Sequence, residues 1–188
     1  MKKIRSIILT MTAALFMNIS FGQMMAAEKT VQVGGAPMYP SKNIIQNAIN
    51  SKDHTTLVAA VKAAGLVETL EGAGPFTVFA PTNAAFNKLP KGTVETLLKA
   101  ENKSKLTGIL TYHVVAGRLG TKELDEWIKK GNGSAELKTV AGGKLWVMKK
   151  GGKLWVKDEK GNVAQITIKD VNQSNGVIHV INKVLMPK

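Results

Sequence analysis

The chain has no cysteine among its 188 residues. That excludes disulfides, thiolate metal sites, a thiol nucleophile and a lipid-modified N-terminal Cys, so stability has to come from the core alone. Acid is scarce as well, with 13 Asp and Glu against 26 Lys and Arg. Three histidines, His54, His113 and His179, lie in separate stretches with no second ligand at zinc-site spacing, so neither a metal nor a cofactor is expected. Glu123, Asp125 and Glu126 share a stretch with Lys122, Lys129 and Lys130 and read as a solvated face of mixed charge rather than a catalytic pair. There is no Gly-x-Ser-x-Gly elbow, phosphate-binding loop or dinucleotide fingerprint, and Gly72-Ala73-Gly74 runs into Pro75 and turns the chain. No enzymatic chemistry is expected.

Long apolar runs are confined to the start. Lys2, Lys3 and Arg5 precede an apolar stretch from Ile7 to Phe21, and no acid occurs before Glu28. This is the layout of a cleavable secretory signal, read as residues 1–27, with cleavage open among Gly22, Ala26 and Ala27. The run is short for a membrane span, so no transmembrane anchor is expected in the mature protein, which belongs in the periplasm or outside the cell. Taking those three basic residues from the 26 leaves 23 against 13 acids, so the excess positive charge belongs to the folded part. An acidic partner surface follows from that excess. About 160 remaining residues suit one domain with a real core.

The Gly- and Pro-rich segment before residue 41 reads as an extended arm or linker over 28–40, and the domain as 41–188. Ser41 and Asp53 are candidate caps for two helices, the second carrying Leu57, Val58, Val61 and Ala64 before Gly65. Phe76 to Ala80 favours a strand, Pro81 ends it, and Thr82 can cap a helix bearing Ala85 and Phe86. Helical patterns continue in 93–100, 103–111 and 121–130. From Ala135 onward the chain reads as glycine-punctuated strands over 136–140, 144–149, 153–157, 163–171 and 176–186. A helical N-terminal half followed by a strand-rich C-terminal half predicts an α+β fold.

Three blocks stand in a telling order: Thr77-Val78-Phe79-Ala80-Pro81-Thr82-Asn83 after the first strand, Tyr112-His113-Val114-Val115 in the middle, and Asn175-Gly176-Val177-Ile178-His179-Val180-Ile181-Asn182 near the end. Together they resemble the fasciclin domain over residues 41–187. The resemblance implies a wedge of two β-sheets with flanking helices, and a secreted or surface protein that mediates adhesion without catalysis. It departs at Asn182, where the family typically carries Asp. The residues themselves make the first block a structural corner, with Pro81 ending the strand and Thr82 capping the helix. Thr77, Asn83, Asn175, Gly176, His179 and Asn182, the other motif positions of the blocks that carry the resemblance, are assigned a structural role with them. For Tyr112 and His113 two readings stand: a hydrogen-bonded core pair, or the adhesion epitope that the resemblance offers.

Gly143-Lys144-Leu145-Trp146-Val147 recurs as Gly152-Lys153-Leu154-Trp155-Val156, which fits two arms of one hairpin. A turn at Lys150-Gly151 sets Trp146 opposite Trp155, Leu145 opposite Val156 and Val147 opposite Leu154. Strand alternation then puts the Leu and Val residues on a core face, and Lys144, Trp146, Met148, Lys153, Trp155 and Lys157 on the other. Family members commonly carry small polar residues at the two Trp positions, so the resemblance implies outward rings. This face is the candidate binding surface for acidic polysaccharide, envelope lipid headgroups or a matrix protein, with no nucleic acid expected. Clamping of the hairpin by the Trp pair, or cover of the pair by the N-terminal arm, is the structural alternative. A second functional reading, also drawn from relatives, is carriage of a small hydrophobic ligand such as a pigment, with Met38, Tyr39, Phe86 and Leu89 lining the cleft.

Overall fold

A computed structural model describes residues 28–188, and the stretch read as a secretory signal, residues 1–27, lies outside the described residues. The chain opens with a hairpin of β1 (Val31–Val33) and β2 (Ala36–Met38). This corrects the extended arm: Gly34 and Gly35 both take positive φ and turn the chain, and Val33 and Met38 are buried. Burying those two side chains anchors the segment to the domain.

Helix α1 (Ile44–Ala48) is capped by Asn43, not Ser41, in a capping box with Gln46: the Gln46 amide donates to Asn43 Oδ1 at 2.8 Å, and the Asn43 amide to Gln46 Oε1 at 3.0 Å. Helix α2 (Thr55–Ala64) follows a 3-10 turn and buries Leu57, Val61 and Ala64 before Gly65, whose φ of 72° closes it in the left-handed region. Asp53 makes no cap here. Asn83 does that work from 27 residues away, accepting from the Thr56 amide at 3.0 Å while donating to the Lys52 carbonyl at 2.9 Å. A short α3 (Val67–Glu71) comes next, then β3 (Phe76–Pro81). Thr82 caps α4 (Asn83–Phe86) as expected, with Oγ1 accepting from the Ala85 amide at 3.2 Å.

Helices α5 (Thr93–Leu97) and α6 (Lys103–Tyr112) lead into β4 (Val114–Ala116), and α7 (Thr121–Lys130) into β5 (Ser134–Lys138), β6 (Lys144–Lys150), β7 (Lys153–Lys157), β8 (Val163–Gln173) and β9 (Gly176–Ile181). These strands form one curled sheet in the order β4-β3-β9-β8-β7-β6-β5. The two layers of the wedge meet in β8, which pairs with β7 through Val163–Gln165 and with β9 from Ile166 to Gln173, a pairing interrupted by two register irregularities. A lone Val115–Thr139 bridge brings the two edges together and nearly closes a barrel.

Two cores follow from strand alternation. Val78, Ala80, Ile178 and Val180 face α1, α2 and α6. Phe79 and Ile181 face the inside of the curl with Leu124, Leu137, Leu145, Val147, Leu154 and Val156. Gly176 is required where β9 runs beside β3, because a Cβ there would collide with the Phe76 backbone. Among the described residues no helix is long and apolar enough to cross a membrane.

Candidate functional site

The three blocks that carry the resemblance are internal fasteners. Thr77 Oγ1 donates to the Gly117 carbonyl at 2.6 Å and accepts from the Leu119 amide at 2.9 Å. Asn175 bridges three elements: its Oδ1 accepts from the Ile44 amide at 3.1 Å, and its Nδ2 donates to the Leu70 and Gly72 carbonyls at 2.8 and 3.0 Å. Asn182 Oδ1 accepts from the Gln165 amide at 2.9 Å, so its amide side chain joins β8 to the end of β9. Pro81 ends β3, buried in its last pairing with Ile181.

Tyr112 and His113 are fully enclosed, which leaves neither side chain accessible as an epitope. The Tyr112 hydroxyl donates to the Lys144 carbonyl at 2.7 Å and accepts from the Glu159 amide at 3.0 Å, and burial pushes it up to about 12. His179 Nε2 donates to the Leu119 carbonyl at 2.8 Å, and its Nδ1 accepts from the Asp170 amide at 3.3 Å. His113 and His179 thus spend both ring nitrogens on backbone groups, and burial lowers both below the usual histidine range.

The repeated arms do form a hairpin, but its register differs from the expectation. The turn is Gly151-Gly152, with φ of 58° and 73°, and the rungs are Lys150–Lys153, Met148–Trp155, Val147–Val156 and Trp146–Lys157. A two-residue hairpin turn of this hand needs positive φ at both central positions, which two glycines supply and Lys150 would resist. The slip moves each partner by two residues, an even number, so each side chain keeps its face. Leu145, Val147, Leu154 and Val156 are buried, while Trp146, Met148, Trp155 and Lys157 are half-buried on the outside and Lys144 and Lys153 are exposed. Trp146 and Trp155 are therefore diagonal neighbours instead of facing partners.

The structure adds residues that the repeat did not point to. Gln165 sits across from Trp155, and Val163 across from Lys157, extending the outer face onto β8. Met148, Lys150, Lys153, Trp155 and Val163 line an open groove of about 600 Å³ beside the turn. The Lys157 ammonium lies 5.2 Å from the Trp146 ring centroid, a cation–π contact. Lys144 pairs with Glu136 at 2.8 Å across the adjoining strands, and this lysine holds the Glu136 carboxyl below the usual range.

The residues named for a pigment cleft serve packing instead, Leu89 lying half-buried against the helical core. Met38 and Phe86 are buried in the helical core, and the Tyr39 ring carries the Lys42 ammonium 4.8 Å from its centroid. An apolar cavity of about 60 Å³ lies elsewhere, between α1, α2, α3 and β3, lined by Ile45, Val61, Leu70 and Val78. Small-molecule sites run to roughly 300–1,000 Å³, so this cavity lends the carrier reading no support.

The fasciclin domain family model matches residues 52–187. Protein sll1483 of Synechocystis is 44% identical over 169 residues, covering 90% of this chain and 87% of its own length. The immunogenic protein MPB70 of Mycobacterium bovis is 39% identical over 145 residues, 74% of this chain and 66% of its own. The cell surface glycolipoprotein MPB83 of the same species is 34% identical over 167 residues, 86% of this chain and 68% of its own. Among solved structures, a FAS1 domain pair from the insect cell adhesion molecule fasciclin I aligns with a TM-score of 0.71 at 18% identity, over 85% of this chain and 58% of that one. That likeness is one of fold.

Proposed function

The chain belongs to the fasciclin domain family, and from that premise we propose that it is an exported binding and adhesion module, not an enzyme, whose working surface is the outer face of β5–β8. The observation that carries this reading is the outer sheet face itself, where half-buried Trp146, Met148 and Trp155 lie among Lys144, Lys150, Lys153 and Lys157 and no described element packs over them. A sheet face that only needed to be wet would be served by small polar residues; aromatic side chains half in water supply contact area for a partner. The surrounding ammonium groups favour an anionic or amphipathic surface, such as acidic polysaccharide, envelope lipid headgroups or an acidic matrix protein. Location outside the cytoplasm rests on the N-terminal signal pattern and on the surface and adhesion proteins among the relatives.

The test is the double variant Trp146→Thr/Trp155→Thr. A cross-strand aromatic contact contributes about 0.2–1 kcal/mol, so the fold survives its loss. Retention on immobilised acidic polysaccharide and on anionic liposomes is expected to fall, and binding by the parent to weaken as salt rises. A double variant that binds as well as the parent at low and high salt overturns the proposal.

A further inference from the structure

The lysines of the outer face are not equivalent. Lys144 is paired with Glu136, Lys157 lies over Trp146, and Lys149, which points to the other side, pairs with Asp125 of α7 at 2.9 Å. Lys150 and Lys153 face each other on the last rung before the turn, and neither has an ion-pair partner among the described residues. Like charges directly opposite on a strand pair are destabilising. Here that repulsion is left uncompensated at the mouth of a groove. Two rungs inward, next on the same face, lie Met148 and Trp155, with Val163 at the side.

The two tryptophans differ too. The Lys157 ammonium occupies one face of Trp146. Trp155 lines the groove, and its indole N–H donates to the Lys150 carbonyl at 3.3 Å, so the ring has its donor satisfied and presents an apolar surface to whatever enters. An apolar ring platform therefore stands beside two unpaired cations.

Resting on the reading that this face binds partners, we propose that the groove at the hairpin tip is a subsite for one uronate unit of an acidic polysaccharide. The C–H face of the sugar ring lies on Trp155, flanked by Met148 and Val163, and the carboxylate sits between the Lys150 and Lys153 ammonium groups, accepting charge-assisted hydrogen bonds. Lys153 and Trp155 are two residues apart on one face, about 7 Å along the strand, a separation on the scale of a single pyranose with its carboxylate. A bilayer fits less well. The tip consists of two glycines and two lysines, and Met148 and Trp155 stand half-buried two rungs behind them, poorly placed to reach past a headgroup layer.

The experiment titrates the full chain with trigalacturonate, and in parallel with its methyl ester, following tryptophan fluorescence and heat of binding. The acid is expected to bind and the ester to bind at least tenfold more weakly. Trp155→Thr is expected to lose tenfold or more in affinity and Trp146→Thr, on the same face but outside the groove lining, a smaller amount. Lys153→Glu replaces a like-charge rung with an opposite-charge one, so its melting temperature is expected to rise while binding of the acid falls at least tenfold, which separates loss of the site from loss of the fold. Equal binding of acid and ester, equal losses in the two Trp variants, or full binding by Lys153→Glu overturns the subsite. If phosphatidylglycerol vesicles are bound through the Trp face and trigalacturonate is not, the saccharide subsite falls and the broader binding face stands. If the double Trp variant retains vesicles and acidic polysaccharide as the parent does, both fall.

Discussion

The Leu185 amide donates to His113 Nε2 at 3.0 Å, while the Nδ1–H of the same ring donates to the Ile109 carbonyl at 2.8 Å. A backbone amide can only donate, so Nε2 must carry the lone pair and the imidazole is neutral. One ring thereby joins the end of α6 to the C-terminal segment. Met186 is held beside it, its amide donating to buried Asp158 at 2.9 Å.

Acid should therefore loosen this protein through its buried histidines. Burial pushes His113 down to about 4, against smaller opposing effects from the Ile109 carbonyl and Asp158. The unfolded chain takes up a proton at His113 near pH 6.5 and the folded chain does not, so the stabilisation is complete above about 6.5 and is lost as the pH falls towards 4. The loss from this one group amounts to roughly 3 kcal/mol. His54 and His179, also lowered by burial, act with the same sign. Urea unfolding at pH 7.5, 6 and 5 is expected to show the decline. His113→Gln should cost about 1–3 kcal/mol at pH 7.5 by stranding its partners and should flatten the slope. An unchanged slope in the variant would refute the assignment.

Asp170 caps α7 from the bulged middle of β8. Its Oδ1 accepts from the Thr121 amide at 2.6 Å, and its other oxygen accepts from the Thr121 hydroxyl. It does so at φ 57°, a conformation that Asn and Asp tolerate better than other side chains. Asp170→Ala is expected to lose the cap and keep the backbone strain, at a cost of about 1–2 kcal/mol. Asp170→Asn, which can still accept and tolerates the same φ, should cost less than half of that. Chemical denaturation of the two variants side by side decides it, and equal costs would refute the cap.

The hairpin register is open to direct measurement. Gly152→Ala places a side chain at φ 73° and is expected to destabilise by about 1 kcal/mol. Gly151→Asn produces the Asn-Gly pair that such turns favour and should be neutral or mildly stabilising. Cross-strand proton contacts between Val147 and Val156, and none between Trp146 and Trp155 Cα protons, are the expected NMR pattern. The reverse pattern would put the turn back at Lys150-Gly151.

Sequence alone determined the faces of this protein. The period of two in Leu145-Trp146-Val147 and Leu154-Trp155-Val156 separates the buried side from the wet one whatever the pairing, because a slip by two residues leaves parity intact. Local chemistry likewise made the Thr82 cap and the Gly65 stop legible, since each acts within a turn of its own helix. The helix-then-strand order, which announced the α+β class, is also a property of neighbouring residues.

Only the tertiary structure decided what depends on residues far apart. Asn83 replaces Asp53 at the start of α2, Asp170 caps a helix 49 residues before it, and Asn175 reaches Ile44 across 131 residues. A polar side chain paired over such a distance leaves no periodicity in the sequence. The Val31–Met38 hairpin escaped for a related reason, since three-residue strands carry too little alternation to register, and it is burial of Val33 and Met38 against a distant core that fixes them. Which Trp is free was equally hidden. The rung that places Lys157 beside Trp146 and leaves Trp155 in the groove is set by the turn, and two glycines there reach a backbone conformation that Lys150 would resist.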